Sequence, residues 1–158
     1  MSLVLRVGLV VVAFGLAACE SGAVKSAAVT KVSSTTSFGM CAGYCKTVLE
    51  ISEKEAVLKR EPWGRGAGSG LPPQRFTTPL SASEWQDIAS VAEAAKIDGL
   101  PETIGCPDCA DGGAESLTIV GPKGTKTITF DHGAPVAEAQ PLLDRVRALR
   151  TRMMPKEP

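Results

Sequence analysis

ESLTIVGPKGTKTITF, residues 115–130, sets the fold class of this chain. Apolar and polar side chains alternate on both sides of residues 122–124, the pattern of half-buried strands, and Pro122 and Gly124 bring turn chemistry between them. The stretch predicts an antiparallel hairpin. Residues 46–61, KTVLEISEKEAVLKRE, repeat the design: Val48 and Ile51 are apolar, residues 53–55 form a charged turn, and Val57 and Leu58 resume the pattern. That is a further hairpin.

Each hairpin is followed by a helical pattern. Ser81 is placed to cap the amide of Glu84 while the Glu84 carboxylate reaches back, with Leu80 and Trp85 as a staple. Trp85, Ile88, Val91, Ala92 and Ala95 then share one face, and Gly99 offers a stop. Over residues 135–153, Ala139, Leu142, Val146, Leu149 and Met153 recur at intervals of three and four, which is one helical stripe. The other side carries Arg145, Arg147, Arg150 and Arg152, expected to be a solvated face whose cations suit a helix C-terminus. Residues 62–79, PWGRGAGSGLPPQRFTTP, keep no periodicity and predict one long loop. The expected fold is α+β, in the order ββαββα: a four-stranded, mainly antiparallel sheet with both helices on one face and the other face partly open. Only 4% of the residues are aromatic, so the core should be small and aliphatic and should gain from crosslinks.

The chain has 158 residues, enough for one domain. It opens MSLVLRVGLVVVAFGLAACESG, with Arg6 ahead of an apolar run over residues 7–18. That run is shorter than the roughly 20 residues a membrane-crossing helix needs, and 1–18 reads as a secretory signal peptide. Leu16, Ala17, Ala18 and Cys19 resemble the lipobox of bacterial lipoproteins. The resemblance implies cleavage between Ala18 and Cys19, a diacylglycerol on the Cys19 thiol, and a palmitate-type acyl group on the freed amine. Two or three such chains hold a protein firmly to a membrane. Glu20 stands where aspartate commonly marks inner-membrane retention, so the implied location is the outer membrane of the cell envelope, facing the periplasm. Residues 19–37 read as the lipidated N-terminus and a flexible tether, and 38–154 as a single domain. The 17 basic residues balance 17 acidic ones, which leaves no field to draw nucleic acid.

Setting Cys19 aside leaves Cys41, Cys45, Cys106 and Cys109. An oxidising envelope and a thin core favour two disulfides. The same four thiolates could instead make a tetrahedral zinc site, and CPDC alone could serve a thiol-disulfide redox protein. Against the redox alternative, a turn and a strand follow Cys109, whereas thioredoxin-type motifs open a helix whose dipole stabilises thiolate. Spacing leaves the pairing open. The chain-entropy model gives about 2 kcal/mol for a bridge within either pair and about 4 kcal/mol for one between them. Pairs that lead equivalent strands of neighbouring hairpins could meet, which leans towards bridges joining the halves.

His132, the one histidine, follows Asp131 and precedes Gly133; with no nucleophile nearby it reads as a turn residue. No catalytic or phosphate-binding motif is present, and no enzyme activity or cofactor is expected. A protein or peptide partner would bind the open sheet face or the glycine-rich loop around Trp63 and Arg65. Phe38, Gly39, Cys41 and Tyr44 in FGMCAGYC are similar to the F-G-x-C-x-x-Y start of a family of small bacterial domains of uncharacterised function, which implies a fold and no activity. Residues 115–149 resemble the closing part of emfourin-type metalloprotease inhibitors, where a hairpin, an acidic turn and an apolar helix follow in that order. That resemblance implies a protease-inhibitor-like module as an alternative.

Overall fold

The computed structural model describes residues 29–156. The expected signal peptide and the cleavage and lipidation site at Ala18 and Cys19 lie outside the described residues. Nine elements follow in order: β1 (Lys31–Ser37), β2 (Lys46–Ile51), β3 (Glu55–Glu61), β4 (Gln74–Pro79), α1 (Ala82–Ala94), β5 (Thr103–Ile104), β6 (Ala114–Gly121), β7 (Gly124–Asp131) and α2 (Gln140–Met153). The strands form one sheet in the order β4-β3-β2-β1-β6-β7-β5. All neighbours are antiparallel except β5 and β7, which run parallel.

This corrects the four-stranded sheet expected from the sequence. The hairpins β2–β3 and β6–β7 are there, but β1 lies between them, and β4 and β5 are the edges. The expected tether therefore ends too late: Lys31–Ser37 is the middle strand of the sheet, paired along its length with β2 and β6. Its inward residues are Val32, Ser34 and Thr36, all buried, so burial alternates where hydropathy does not. Likewise β4 emerges from the expected long loop, with Phe76 packed against the core and Pro79 closing the strand. Proline is tolerated there because an edge strand has no second neighbour to receive its missing N–H.

Register puts Val32, Leu49, Ile51, Leu58, Leu117, Ile128 and Phe130 on one face. All are at most 1% exposed, and against them pack Trp85, Ile88, Leu142, Leu143, Val146 and Leu149 from the two helices. Each such side chain contributes about 1.5–3 kcal/mol on burial. A one-residue slip of any strand would carry its set to the other face, so this core also fixes register. The opposite face is polar. Ser116 bonds Thr129 at 3.0 Å, Thr118 bonds Thr127 at 2.8 Å, and Glu50 joins Lys59 and Lys31 across β1, β2 and β3. Hydrogen bonds from Lys59 and Lys31 hold the Glu50 carboxyl below its ordinary range.

The cap of α1 is formed in full: the Glu84 amide donates to Ser81 Oγ at 3.2 Å, and the Ser81 amide donates to Glu84 Oε2 at 3.0 Å. The helix stops at Ala94, short of Gly99, which instead ends a separate 3-10 turn. In α2 the stripe Leu142, Val146, Leu149 and Met153 is buried as spaced. Its arginines correct the solvated-face reading. Arg147 and Arg150 reach Glu115, whose side chain is 0% exposed, at 2.7 and 2.9 Å; Arg145 pairs with Asp87 and Arg152 with Glu84 on α1. The four cations tie α2 to the sheet and to α1. No described helix is long and apolar enough to cross a membrane.

Candidate functional site

Antiparallel neighbours bring alternate strand ends together, and here the consequence is a cluster of loops. Ser37 lies opposite Lys46 and Ala114, Lys46 opposite Glu61, and Ala114 opposite Asp131. Loops 38–45, 62–73 and 105–113 and the turn at His132 therefore all sit at one end of the sheet. Both cysteine pairs are in this cluster.

The structure bridges Cys41 to Cys45 and Cys106 to Cys109, with Cα separations of 5.6 and 5.4 Å. Bridging is within each pair, which corrects the lean towards bridges between the halves. The entropy argument weighs only the unfolded chain, whereas in the fold each pair sits within its own short loop at bridging distance. With the four sulfurs committed to bridges, the zinc alternative loses its thiolates, and no other group of three or more candidate ligands occurs among the described residues.

Gly39 is the junction of the cluster. Its N–H donates to Asp108 Oδ2 at 3.2 Å, so the CAGYC loop is held by the middle of CPDC. The same carboxylate accepts from Gly113 at 3.1 Å, and the Asp108 amide donates to the Gly113 carbonyl at 3.1 Å. On the other side, the Gly39 carbonyl accepts the Arg65 N–H at 3.2 Å, and a side chain on Gly64 would overlap the Gly39 backbone. Gly66 is buried against the Gly43 carbonyl and Cys45 Sγ. The loops are thus stacked: CPDC on Gly39, and the glycine-rich 3-10 turn Gly64–Ser69 on the CAGYC loop. Tyr44 binds the far rim, its hydroxyl donating to the Pro72 carbonyl at 2.8 Å and its ring lying 4.7 Å from the Arg60 guanidinium. Phe38 packs edge-on to His132, with ring centroids 4.7 Å apart.

What this scaffold displays is apolar. Met40, Trp63, Leu71 and Met154 are the exposed large hydrophobic residues among those described, at 50%, 49%, 39% and 36%, and the first three belong to these loops. Trp63 lies with Lys46 5.3 Å from its ring, and Lys46 also pairs with Glu61 at 3.5 Å. An open depression of about 560 Å³ runs between Met40, Cys41 and Gly43 on one side and Arg65, Gly66 and Ser69 on the other. Exposed Met40, Trp63 and Leu71 thus stand on a disulfide-closed set of loops with Arg65 beside them.

Of the residues singled out in the sequence, Trp63 and Arg65 fall at this surface and the four cysteines beneath or beside it, while His132 occupies the turn after β7. Met40, Leu71 and Asp108 carry no such signal in the sequence, and Gly39 stands out there only as part of the FGMCAGYC resemblance. The Gly39–Asp108 contact spans 69 residues, and no local pattern announces it. At the other end of the sheet, an apolar cleft of about 450 Å³ lies between Val29, Ala92, Ala95 and Ile97 and the β6–β7 turn, with Lys123 paired to Asp98 at 3.4 Å across its rim.

No family model matches the chain, and the curated proteins return no relative of it.

Proposed function

We propose that this chain is a lipid-anchored protein of the bacterial envelope whose disulfide-stapled domain presents a protein- or peptide-binding surface to the periplasm. One observation carries the reading. The described chain reaches β1 at Lys31, opposite Val120, with the next residue, Val32, opposite Ile51, whereas the cluster of Met40, Trp63 and Leu71 adjoins the other ends of the same strands. Nine residues separate Cys19 from Val29. A lipid on Cys19 therefore tethers the domain by the end opposite Met40, Trp63 and Leu71 and turns those loops away from the bilayer. The disulfides suit the same compartment.

Two measurements test it. Full-length protein takes up labelled palmitate and fractionates with the outer membrane, and Cys19→Ser does neither. A photo-crosslinking residue at Met40 yields a discrete adduct in intact cells that is lost on Trp63→Ala, while the same probe at Thr127, on the polar sheet face, yields none. Equal labelling at both positions would overturn the assignment of the surface. If the captured partner is a metalloprotease, the inhibitor-like alternative is taken up; if excess protein leaves such proteases fully active, that alternative goes.

A further inference from the structure

The two disulfides differ in their surroundings. Cys45 is 1% exposed and its sulfur is covered by Gly66, whereas Cys106 and Cys109 are both exposed. The turn they close holds Asp108, Ala110 and Asp111 at φ of 62°, 53° and 59°. Left-handed backbone at three non-glycine residues within four positions persists only when the surroundings enforce it. Here the enforcing contacts are the Cys106–Cys109 ring, the Cys109 N–H to Cys106 carbonyl bond at 3.0 Å, and the bonds of Asp108 to Gly113 and Gly39.

We infer that Cys106–Cys109 is a reducible switch that sets the conformation of the recognition loops through Asp108 and Gly39. The co-reactant is a dithiol. Its thiolate attacks one sulfur of the bridge, the S–S bond breaks, and a mixed disulfide forms; its second thiol then displaces that bond. The protein gains two electrons and two protons as the thiols of Cys106 and Cys109, and the reductant leaves as a disulfide. CPDC is the substrate of this exchange. With the ring open, the left-handed turn relaxes and the Asp108 carboxylate leaves the Gly39 amide. Gly39 also accepts the Arg65 N–H, so residues 38–45 and 62–70 lose their common clamp and the Trp63 surface loosens. The Cys41–Cys45 bridge, whose Cys45 sulfur lies buried under Gly66, stays closed and keeps the loops attached.

This deepens the reading of the loop cluster as a recognition surface, and its test needs no partner. Full-length protein extracted from membranes is treated with graded dithiothreitol, alkylated and mapped. Cys106 and Cys109 label at least about tenfold faster than Cys41 and Cys45, and amide exchange at Gly39 and Arg65 rises in step by about tenfold or more. Asp108→Gly, which removes the carboxylate and accommodates the positive φ, raises the same two exchange rates with the bridge intact. Equal or inverted labelling of the pairs overturns the switch. Selective reduction with unchanged exchange at Gly39 and Arg65 overturns the coupling. Both readouts are made on the protein alone, so they stand or fall separately from any capture at Trp63.

Discussion

Glu115 and Arg150 lie 35 residues apart and meet at 2.9 Å on the helix-facing side of the sheet, where Ser34 bonds to both. Arg147 closes the other carboxylate oxygen at 2.7 Å and also donates to the Ala134 carbonyl at 2.8 Å. A fully buried carboxylate is tolerable only with such partners, and the partners in turn need it. Glu115→Ala should therefore cost about 3–5 kcal/mol in urea unfolding at neutral pH, because it strands two partly buried guanidinium groups. Replacing all three residues together, Glu115→Leu with Arg147→Met and Arg150→Met, should restore most of that loss. A triple variant as unstable as Glu115→Ala would show that the cluster supplies net stability and not mutual compensation.

The same cluster sets an acid dependence. Burial pushes the Glu115 carboxyl up, but hydrogen bonds and charge from Arg147 and Arg150 outweigh it, and the carboxyl sits below its ordinary value of 4.5. A depressed folded value means that the unfolded chain binds the proton first. The contribution is then fully present above the unfolded value and is lost as pH falls through the folded one. Unfolding free energy should hold level from pH 7 to about 5 and fall below that. The fall should be shallower in Glu115→Gln. Matching slopes in the two proteins would assign the acid loss to Glu50 and Asp87, held low by hydrogen bonds from Lys59, Lys31 and Arg145, and to Glu84, held low first by its hydrogen bonds with Ser81 and then by Arg152.

How much of this was readable beforehand depends on what each strand buries. The hairpins β2–β3 and β6–β7 bury Leu49, Ile51, Leu58, Leu117 and Ile128, so hydropathy alternates where burial does, and the turns carry their own residues. The Ser81 cap and the α2 stripe are local and show in a few residues. In β1 the buried positions Ser34 and Thr36 are hydroxyls, and Ser34 is admitted to the interior by Glu115 and Arg150. That licence comes from residues more than 80 positions away, so the strand passed for a tether. β4 stands behind the glycine-rich turn, and β5 is two residues long. At the site, Trp63 and Arg65 stand out by composition. The exposure of Met40 and Leu71 follows from the stacking of loops on Gly39, Gly64 and Gly66, which is tertiary.

That stacking makes two glycines of one loop unequal. A methyl on Gly66 would run into the Gly43 carbonyl and Cys45 Sγ, both held by the Cys41–Cys45 loop, while a methyl on Gly68 would meet nothing within 4 Å. Gly66→Ala should destabilise by about 1–3 kcal/mol and alter Trp63 fluorescence by lifting the turn. Gly68→Ala should lie within about 0.5 kcal/mol of wild type, with any gain coming from a less free unfolded chain. Equal effects would mean that the turn does not rest on the CAGYC loop.

The bridging pattern is open to a direct check, because the cleavage sites fall conveniently. Trypsin cuts after Lys31 and Lys46 and after Lys96 and Lys123, with no lysine or arginine inside either segment. The non-reduced digest should thus give peptides 32–46 and 97–123, each lighter than its reduced form by two hydrogens, because each pair closes within its own peptide. A covalent dimer of the two peptides would put the bridges between the halves and remove the physical basis for treating CPDC as an independent switch. The energetics separate the cases again. Two short loops contribute about 2 kcal/mol each and add, so Cys41→Ser/Cys45→Ser and Cys106→Ser/Cys109→Ser should each lose about half of what the four-cysteine variant loses. Bridges between the halves would make either double variant lose nearly all of it, since breaking one pair would then open both crosslinks.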